Sequence, residues 1–443
     1  MDQLSGSDEE IARAALERVL DAKDSRYVSI FIELMRGRQV EIIDITQELY
    51  SSYVAGLQTL SGEDFSYHWA EWVEWYGKSD LEPPPGFAEW KGRFFSRIDP
   101  RFADFLNDDA RSLVRVEEIQ WGGVLVDGIP ALDNPGMIPP DSADYLLPDE
   151  SVFGIVVNGD VRAYPLRIMD WHEMANDVIG GVPVSLAYCT LCGAAIAYDG
   201  RASDGQVYTF GSSGLLLHSN KLMYDRQTNT LWNHLTGEPV VGELVGRDIS
   251  LRLLPVVLTS WQEWYQQHPD TLVLDIDTGF GRNYWPGAAY GHYFASDDTM
   301  FPVWQRSRLL DSKAQIYALR IDGFPKAYPI DILTEEGVIN DTLGETPVVV
   351  VAMRGTVDVT GISRYGPVSY TAGSEVRAYE RGEETFRPGP DADTVLDSAG
   401  SPWRVTEDAL IGPDGETAPR ISGHLAYWFG WYAFFPNTLV YGQ

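Results

Sequence analysis

The sequence is poor in cysteine, in lysine and in long apolar runs. Its 443 residues include two cysteines, and 6 lysines against 27 arginines. Two cysteines exclude a disulfide-stapled scaffold, which needs several pairs. No stretch approaches the ~20 apolar residues of a membrane-spanning helix, and residues 1–11 lack the basic and apolar regions of a signal peptide. We therefore expect a chain without a membrane span, soluble and cytoplasmic as written.

Positive charge is scarce overall. The chain carries 33 basic and 65 acidic side chains, a formal net charge of -32 at pH 7. A phosphate backbone repels such a surface, which argues against a nucleic-acid partner, and an anionic membrane surface is disfavoured for the same reason. Apolar residues make up 44% of the chain, so we expect a globular protein of two or three domains. We expect its partner to be a small molecule or a metal ion.

The first 150 residues divide into two regions of different texture. Residues 1–108 predict an all-α N-terminal domain, because capping-box pairs at Ser7/Glu10 and Asp44/Gln47 each precede an amphipathic run. This domain is also the predicted surface for a protein partner. Residues 109–150 predict an extended lead-in segment, because 121–150 are rich in Gly, Pro and Asp.

An internal duplication is the main organising feature of the remainder. Residues 154–184 align with 318–348 at a constant offset of 164, and ten of 31 positions are identical. Residues 261–273 align with 428–440, and seven of 13 positions agree. One unit used twice explains both matches. We predict a first repeat at 151–280, a connector at 281–315 and a second, degenerate repeat at 316–443.

Each repeat predicts the order β-β-α-β-β. In the first repeat an apolar run meets Asn158-Gly159, a strong hairpin signal. A helix is predicted at about 166–179, with Asn176-Asp177 at its end, and a strand at 182–188 leads to the cysteines. The predicted fold class is α+β, with mostly antiparallel sheets after the helical N-terminal domain.

The candidate reactive site occurs in the first repeat alone. Cys189 and Cys192 flank a turn closed by Gly193, and His172 lies in the helix before it. The Cys-x-x-Cys spacing lets two sulfurs face one point. The corresponding positions of the second repeat are Glu336, Met353 and Thr356. Because the second repeat is predicted to form the same fold without these three side chains, folding does not require them. We therefore interpret the set as functional.

Three chemistries fit this set, and a fourth hypothesis gives it none. His172, Cys189 and Cys192 supply three ligands for a soft or borderline ion, copper or zinc. Further ligand candidates are Asp170, His218 and His234. The alternatives are a thiol-dependent oxidoreductase using the Cys189–Cys192 pair and a nucleophilic cysteine with His172 as its base. The last hypothesis is a non-catalytic scaffold that binds a partner.

A second group of polar residues lies downstream of the cysteines. We predict that Asp225 and Arg226 take part in catalysis, although a buried Asp-Arg pair that ties a loop is an equal alternative. We also predict that further side chains line a cofactor pocket, with the histidine reaching it from the second repeat. These residues are Ser213, Asn220, Trp232 and His424.

Several linked motifs resemble a bacterial family known as domain of unknown function 3179. They are AYP at 163–165, WHE at 171–173, YC-x-LC at 188–192, SGLL at 213–216, MYDRQT at 223–228 and GH-x-AYWFGW at 423–431. The resemblance covers about 115–443 and implies no reaction; many relatives look exported. Thr190 stands where the family usually has proline. The element order also looks like the duplicated units of organomercurial lyases and NosL-type copper proteins, an analogy of topology.

Overall fold

The computed structural model describes residues 1–443, in which strands greatly outnumber helices. Six helices form the N-terminal region and five short ones lie among the strands. They are α1 (Glu9–Ala22), α2 (Val28–Gln39), α3 (Gln47–Ser61), α4 (Trp69–Tyr76), α5 (Phe87–Phe95), α6 (Phe102–Phe105), α7 (Leu166–His172), α8 (Trp261–Gln267), α9 (Gly291–Phe294), α10 (Ile330–Glu336) and α11 (Trp428–Tyr432). None of them is long and apolar enough to cross a membrane.

The N-terminal helices begin one or two residues from the predicted caps. The carboxylate of Asp8, not Ser7, accepts the backbone amides of Glu10 and Ile11 at the start of α1. Thr46, not Asp44, caps α3 by accepting the amide of Leu49. In each case the residue directly before the first turn has the extended backbone that lets its side chain reach back to the free amides. The predicted helical N-terminal region is confirmed.

The strands up to residue 274 form three five-stranded sheets. Their orders are β1-β9-β10-β11-β12, β13-β8-β7-β6-β2 and β14-β4-β5-β15-β3. The strands are β1 (Ile119–Trp121), β2 (Leu132–Asp133), β3 (Met137–Ile138), β4 (Ser151–Val157), β5 (Asp160–Pro165), β6 (Met174–Ile179), β7 (Val182–Cys189), β8 (Ala194–Asp199), β9 (Phe210–Leu217), β10 (Asn220–Asp225), β11 (Leu231–Asn233), β12 (Glu238–Val241), β13 (Arg252–Leu254), β14 (Val257–Ser260) and β15 (Leu272–Leu274).

The strands after residue 314 form one four-stranded, one eight-stranded and one two-stranded sheet. Their orders are β28-β16-β17-β29, β18-β19-β22-β27-β26-β25-β24-β23 and β20-β21. The strands are β16 (Gln315–Ile321), β17 (Phe324–Pro329), β18 (Val338–Leu343), β19 (Thr346–Val351), β20 (Thr356–Ser363), β21 (Gly366–Ser374), β22 (Arg377–Glu380), β23 (Arg387–Pro388), β24 (Thr394–Leu396), β25 (Pro402–Val405), β26 (Ala409–Ile411), β27 (Thr417–Ile421), β28 (His424–Tyr427) and β29 (Leu439–Val440). Only the pairs β2–β6, β5–β15 and β17–β29 are parallel.

The opening elements of residues 151–280, here called the first half, recur in the same order in residues 316–443, the second half, which β16 enters one residue early. The elements β4, β5, α7 and β6 have the same lengths as β16, β17, α10 and β18, and their bounds differ by 164 residues throughout. The mixed helix and antiparallel sheet content confirms the α+β class.

The helix of each half is shorter than predicted. Helix α7 ends at His172, and Glu173 takes a left-handed backbone conformation that starts strand β6. Asn176 therefore lies on a strand and not at a helix end. Its amide group donates to the backbone oxygen of Phe210 and accepts from the amide nitrogen of the same residue, at 2.8 and 3.1 Å. In sequence, a polar residue that hydrogen-bonds to the backbone of a neighbouring strand looks the same as a residue that caps a helix.

The cores join regions that the sequence separates. The apolar faces of the N-terminal helices pack against the sheet β1-β9-β10-β11-β12, in one core that contains Phe31, Trp90 and Leu217. A second core combines residues of both halves, including Cys189, Cys192 and Trp428. The cysteine turn therefore lies at the junction between the two halves.

Candidate metal centre

The cysteine turn is built by two adjacent strands. Strand β7 ends at Cys189, β8 begins at Ala194, and these two residues are paired in the antiparallel register. Gly193 closes the turn with a φ of +61°, and a side chain there would start 3.1 Å from the ring of Tyr427. Glycine suits this position on both counts, because other residues seldom adopt this backbone conformation and a side chain would crowd the ring of Tyr427.

Backbone amides point at the sulfur atoms of this turn. The amide of Cys192 donates to Sγ of Cys189 at 3.4 Å. Burial, followed by the neighbouring sulfur of Cys189, raises the pKa of Cys192 well above its ordinary value, while a backbone hydrogen bond from Ala194 acts in the opposite direction. Amide donors favour the thiolate form, which is the form that binds a metal ion.

The third donor of the group is His234 and not His172. The ligand atoms of Cys189, Cys192 and His234 all lie within 4.8 Å of one another, and all three residues are buried. Donor atoms held by one ion at bond lengths of about 2.3 Å lie roughly 4 Å apart. The group therefore needs only a small contraction to surround an ion.

The imidazole of His234 has one nitrogen without a hydrogen-bond partner. Its Nε2 lies 3.4 Å from the backbone oxygen of Ala194, and Nδ1 is buried without a hydrogen-bond partner. Because a carbonyl oxygen only accepts, Nε2 carries the hydrogen and Nδ1 keeps its lone pair. Burial, with smaller contributions from the neighbouring His424 and Lys221, lowers the pKa of His234 to about 3. The ring is thus neutral at ordinary pH, as metal binding requires.

The structure corrects the prediction that His172 joins the cysteines. Its Nδ1 contacts the backbone oxygen of Pro130 at 2.7 Å, and its Nε2 contacts the hydroxyl of Tyr284 at 2.6 Å. Both ring nitrogens thus have partners. The contact with Tyr284 fixes the segment that follows β15. Of the other predicted ligands, His218 binds Glu118 through Nε2 at 2.6 Å, and Asp170 lines a different pocket.

A buried ion pair that the sequence analysis missed adjoins the group. The ammonium of Lys221, on β10, donates to the backbone oxygen of Glu173 at 2.9 Å and lies 3.5 Å from its carboxylate. The hydroxyls of Thr190 and Tyr290 donate to the same carboxylate, at 2.8 and 3.2 Å. Burial lowers the pKa of Lys221, while Glu173 and then the sulfur of Cys189 raise it. The surroundings of the cysteines are therefore charged and not a purely apolar core.

The ion pair had one sequence signal. Lys221 is one of six lysines, and it stands in a strand, NKLMYD, that is otherwise mostly apolar. Lysine is almost never fully buried unless it is paired. A lone lysine in a buried strand of a lysine-poor chain therefore predicts a buried carboxylate partner, although it does not identify Glu173.

A narrow cavity of about 30 Å³ lies between the two halves, beside the cysteine turn. Tyr188 and Gly193 line it from the first half, and His424 and Tyr427 from the second. Such a volume holds one or two water molecules. His424 lines this cavity from the second half, and its Nδ1 contacts the backbone oxygen of Leu425.

A protein-family model described as a protein of unknown function, DUF3179, matches residues 126–438. The chain belongs to this family. The match includes the cysteine turn, His234, and both halves, and it begins after the N-terminal helices. No curated protein and no solved structure matches the chain.

In this DUF3179 protein, most of the downstream polar residues bind groups on neighbouring strands or turns. Asp225 accepts the amide of Thr228 at 2.6 Å and Nε1 of Trp232 at 2.8 Å. Ser213 donates to the backbone oxygen of Leu222 at 2.6 Å. Arg226 pairs with Asp133 on the surface, so Asp225 and Arg226 form neither a buried pair nor a joint site.

Asn220 is the one residue of that set that lies against the cysteines. Its Nδ2 donates to the backbone oxygen of Gly430 at 3.1 Å, while its Oδ1 is buried without a partner. The point where a side chain on Gly430 would begin lies 3.1 Å from Oδ1 of Asn220 and 2.7 Å from Cβ of Cys192. Helix α11 of the second half thus packs directly against the cysteine turn.

Proposed function

We propose that Cys189, Cys192 and His234 bind one soft or borderline transition-metal ion, copper(I) or zinc. The observation that carries the proposal is the convergence of two sulfurs and one imidazole within 4.8 Å. Thiolate and imidazole donors select copper(I) and zinc among common metal ions. Three protein ligands suit a copper(I) site or an open zinc site, whereas a closed zinc site takes four.

Electrostatics supports the same assignment. Two thiolates and a neutral imidazole carry a charge of -2, and the Lys221–Glu173 pair beside them adds none at neutral pH. A buried group with this charge is costly without a cation. A metal ion that displaces the thiol protons removes that cost, so we expect metal binding to release protons and to stabilise the fold.

The test is elemental analysis of protein purified without oxygen. We expect about one equivalent of metal per chain, lost in Cys189→Ser and in His234→Gln. The matched control is His172→Gln, which removes a buried imidazole outside the group and keeps the metal. Full metal content in His234→Gln, or loss of metal in His172→Gln alone, contradicts the proposal.

The competing hypothesis is a redox pair formed by Cys189 and Cys192. The closeness of the two sulfurs supports it as it supports metal binding, and the raised pKa of Cys192, caused first by burial, disfavours the thiolate that both functions need. Thiol titration with and without reductant separates the two functions, because a disulfide changes the count by two and a metal site does not. If the cysteine variants change neither metal nor thiol behaviour, the scaffold hypothesis gains.

We also propose that the two halves descend from one duplicated unit. Pairs of identical contacts support this. The hydroxyls of Tyr164 and Tyr328 donate to Asp177 and Asp341, at 2.6 and 2.9 Å. The indoles of Trp264 and Trp431 donate to Thr271 and Thr438, at 3.0 and 2.9 Å. The two cysteines have no counterpart in the second half, as expected for residues kept for function and not for folding.

A further inference from the structure

The three donor residues of the proposed metal centre are sealed from solvent. Cys189 is 1% exposed, and Cys192 and His234 are 0% exposed. The narrow cavity beside the cysteine turn is lined by Gly193 and by none of these three residues, so it gives no path to the donor atoms. An ion therefore reaches the sulfurs only when part of the surrounding structure moves.

On most sides the surrounding structure is part of a sheet. Strands β7 and β8 form the turn itself, and His234 directly follows β11. In the second half, the amide of Tyr427 donates to the backbone oxygen of Cys192 at 2.7 Å, and the amide of Trp428 donates to that of Ala314 at 2.9 Å. Strand β28, which ends at Tyr427, is itself paired with β16. Displacing any of these elements breaks several backbone hydrogen bonds at once.

Helix α9, which lies between β15 and β16, covers the remaining side. The hydroxyl of Tyr293, in this helix, donates at 2.5 Å to the backbone oxygen of Leu191, which lies between the two cysteines. Directly before the helix, the hydroxyl of Tyr290 donates to the carboxylate of Glu173 at 3.2 Å. Tyr293 also packs in the same core as the cysteines. This cover is attached to the cysteine turn by side chains and not by paired strands.

No backbone hydrogen bond joins the segment around α9 to another part of the chain. The backbone bonds of residues 287–301 all lie within 285–301, and the segment belongs to no sheet. Its two ends are anchored. The amide of Ile362 donates to the backbone oxygen of Pro286 at 2.9 Å, and the hydroxyl of Ser219 donates to that of Pro302. The segment can thus lift between fixed points without disrupting a strand.

The side chain of Lys313 ties the end of α9 to the second half. Its ammonium donates to the backbone oxygen of Tyr293, and to that of Ser296 at 2.5 Å. Lysines near the end of a helix commonly bind its last carbonyl oxygens in this way. The ammonium also lies 3.8 Å from the centre of the Tyr293 ring, a favourable cation–π contact. Because Lys313 lies two residues before β16, it acts as a latch between the cover and a sheet.

We propose that residues 287–301 form a lid, which must lift from the cysteine turn before an ion or any other reagent reaches Cys189 and Cys192. A segment held by few contacts opens locally at a lower cost than the whole protein unfolds. As a route for the metal ion the inference rests on the proposed function. As a cover over the two thiols of the chain it can be tested without metal.

Labelling of the metal-free, reduced full chain with N-ethylmaleimide tests the proposal, since Cys189 and Cys192 are its only cysteines. Tyr293→Phe removes the hydroxyl that contacts Leu191 and keeps the ring. We expect it to raise the labelling rate about two- to tenfold, because one hydrogen bond fewer holds the lid closed. Lys313→Met, which releases the latch, should raise the rate in the same direction.

The matched control is Tyr379→Phe, which removes a similar hydrogen bond in the eight-stranded sheet, from a buried tyrosine hydroxyl to the backbone oxygen of Thr406 at 2.7 Å. We expect a loss of stability in urea similar to that of Tyr293→Phe, and labelling at the rate of the unchanged protein. Equal acceleration in Tyr379→Phe means that the thiols are reached only by global unfolding. That result, or an unchanged rate in Tyr293→Phe, overturns the proposal.

Elemental analysis of the same proteins, purified without oxygen, separates this inference from the proposed function. The expected labelling pattern in a chain that binds no metal supports the lid and contradicts the metal centre. One equivalent of metal per chain, together with labelling that is indifferent to Tyr293, supports the metal centre and contradicts the lid.

Discussion

At the scale of single residues, two buried histidines differ in what their ring nitrogens contact: His172 at the end of α7, and His234 after β11. His172 has partners on both nitrogens, so its lone pair is already used. His234 has a free Nδ1 and a neutral ring. Burial and residue type are the same in both. The hydrogen-bond partners decide which imidazole is available to an ion.

The Lys221–Glu173 pair provides a stability prediction at the same scale. Lys221→Met leaves the Glu173 carboxylate buried without its cation, and we expect the free energy of unfolding to fall by about 3–5 kcal/mol. The measurement is urea denaturation of the metal-free protein. Both side chains are at most 9% exposed, so solvent does little to screen the loss.

The double variant Lys221→Met with Glu173→Gln serves as the control for this prediction. It removes both charges, and we expect it to recover most of the lost stability, because a neutral pair leaves no uncompensated charge in the interior. If the double variant is no more stable than Lys221→Met, packing and not charge accounts for the effect.

At the scale of elements, the site depends on helix α11 packing against the cysteine turn. A side chain on Gly430 would start 2.7 Å from Cβ of Cys192, a distance that atoms do not tolerate without movement. Gly430→Ala should therefore displace the turn from the helix. We expect a lower metal content per folded chain and a stability loss of about 1–3 kcal/mol, measured by elemental analysis and denaturation.

Gly281→Ala is the matched control for the helix prediction, since a side chain at Gly281 meets no atom within 4 Å. We expect it to retain both metal and stability. Normal metal content in Gly430→Ala would mean that the contact between α11 and the turn is not needed to hold the sulfurs in place.

At the scale of the whole molecule, burial at the junction of the halves makes stability depend on pH. Burial is the main cause that lowers the pKa of His424 to about 4, against an ordinary value of 6.5. Between these values the unfolded chain binds a proton that the folded chain does not. The free energy of unfolding therefore rises with pH through this window. The stability that the neutral His424 contributes is lost as the pH falls from about 6.5 toward 4.

We expect the His424 contribution to decrease by about 2 kcal/mol between pH 7.5 and pH 5 in the metal-free protein. The measurement is urea denaturation at both pH values. In His424→Asn the difference between the two pH values should shrink by that amount, while other titrating groups contribute equally to both proteins. An unchanged difference would show that the imidazole is accessible to protons in the folded state.

Local sequence determined the features that depend on neighbouring residues. The N-terminal helices, the hairpin at Asn158-Gly159 and the turn at Cys189–Cys192 follow from capping, turn chemistry and short spacing. The α+β class and the membership in DUF3179 followed from the same local patterns and motifs. The helix at 166–172 was placed correctly at its start and was given seven residues too many, because a buried strand and a helix of similar length have similar apolar content.

Only the tertiary structure decided which distant side chains meet. His234 follows β11, which belongs to a different sheet from the strands of the cysteine turn. The packing of the two sheets brings its ring to the sulfurs. Lys221, Glu173 and helix α11 reach the same place from three other segments. Spacing along a chain fixes geometry within a turn or a helix, but contacts between sheets depend on how whole elements pack. That is why the cysteine pair could be identified in the sequence, whereas His234 was one of three further candidates that spacing did not separate.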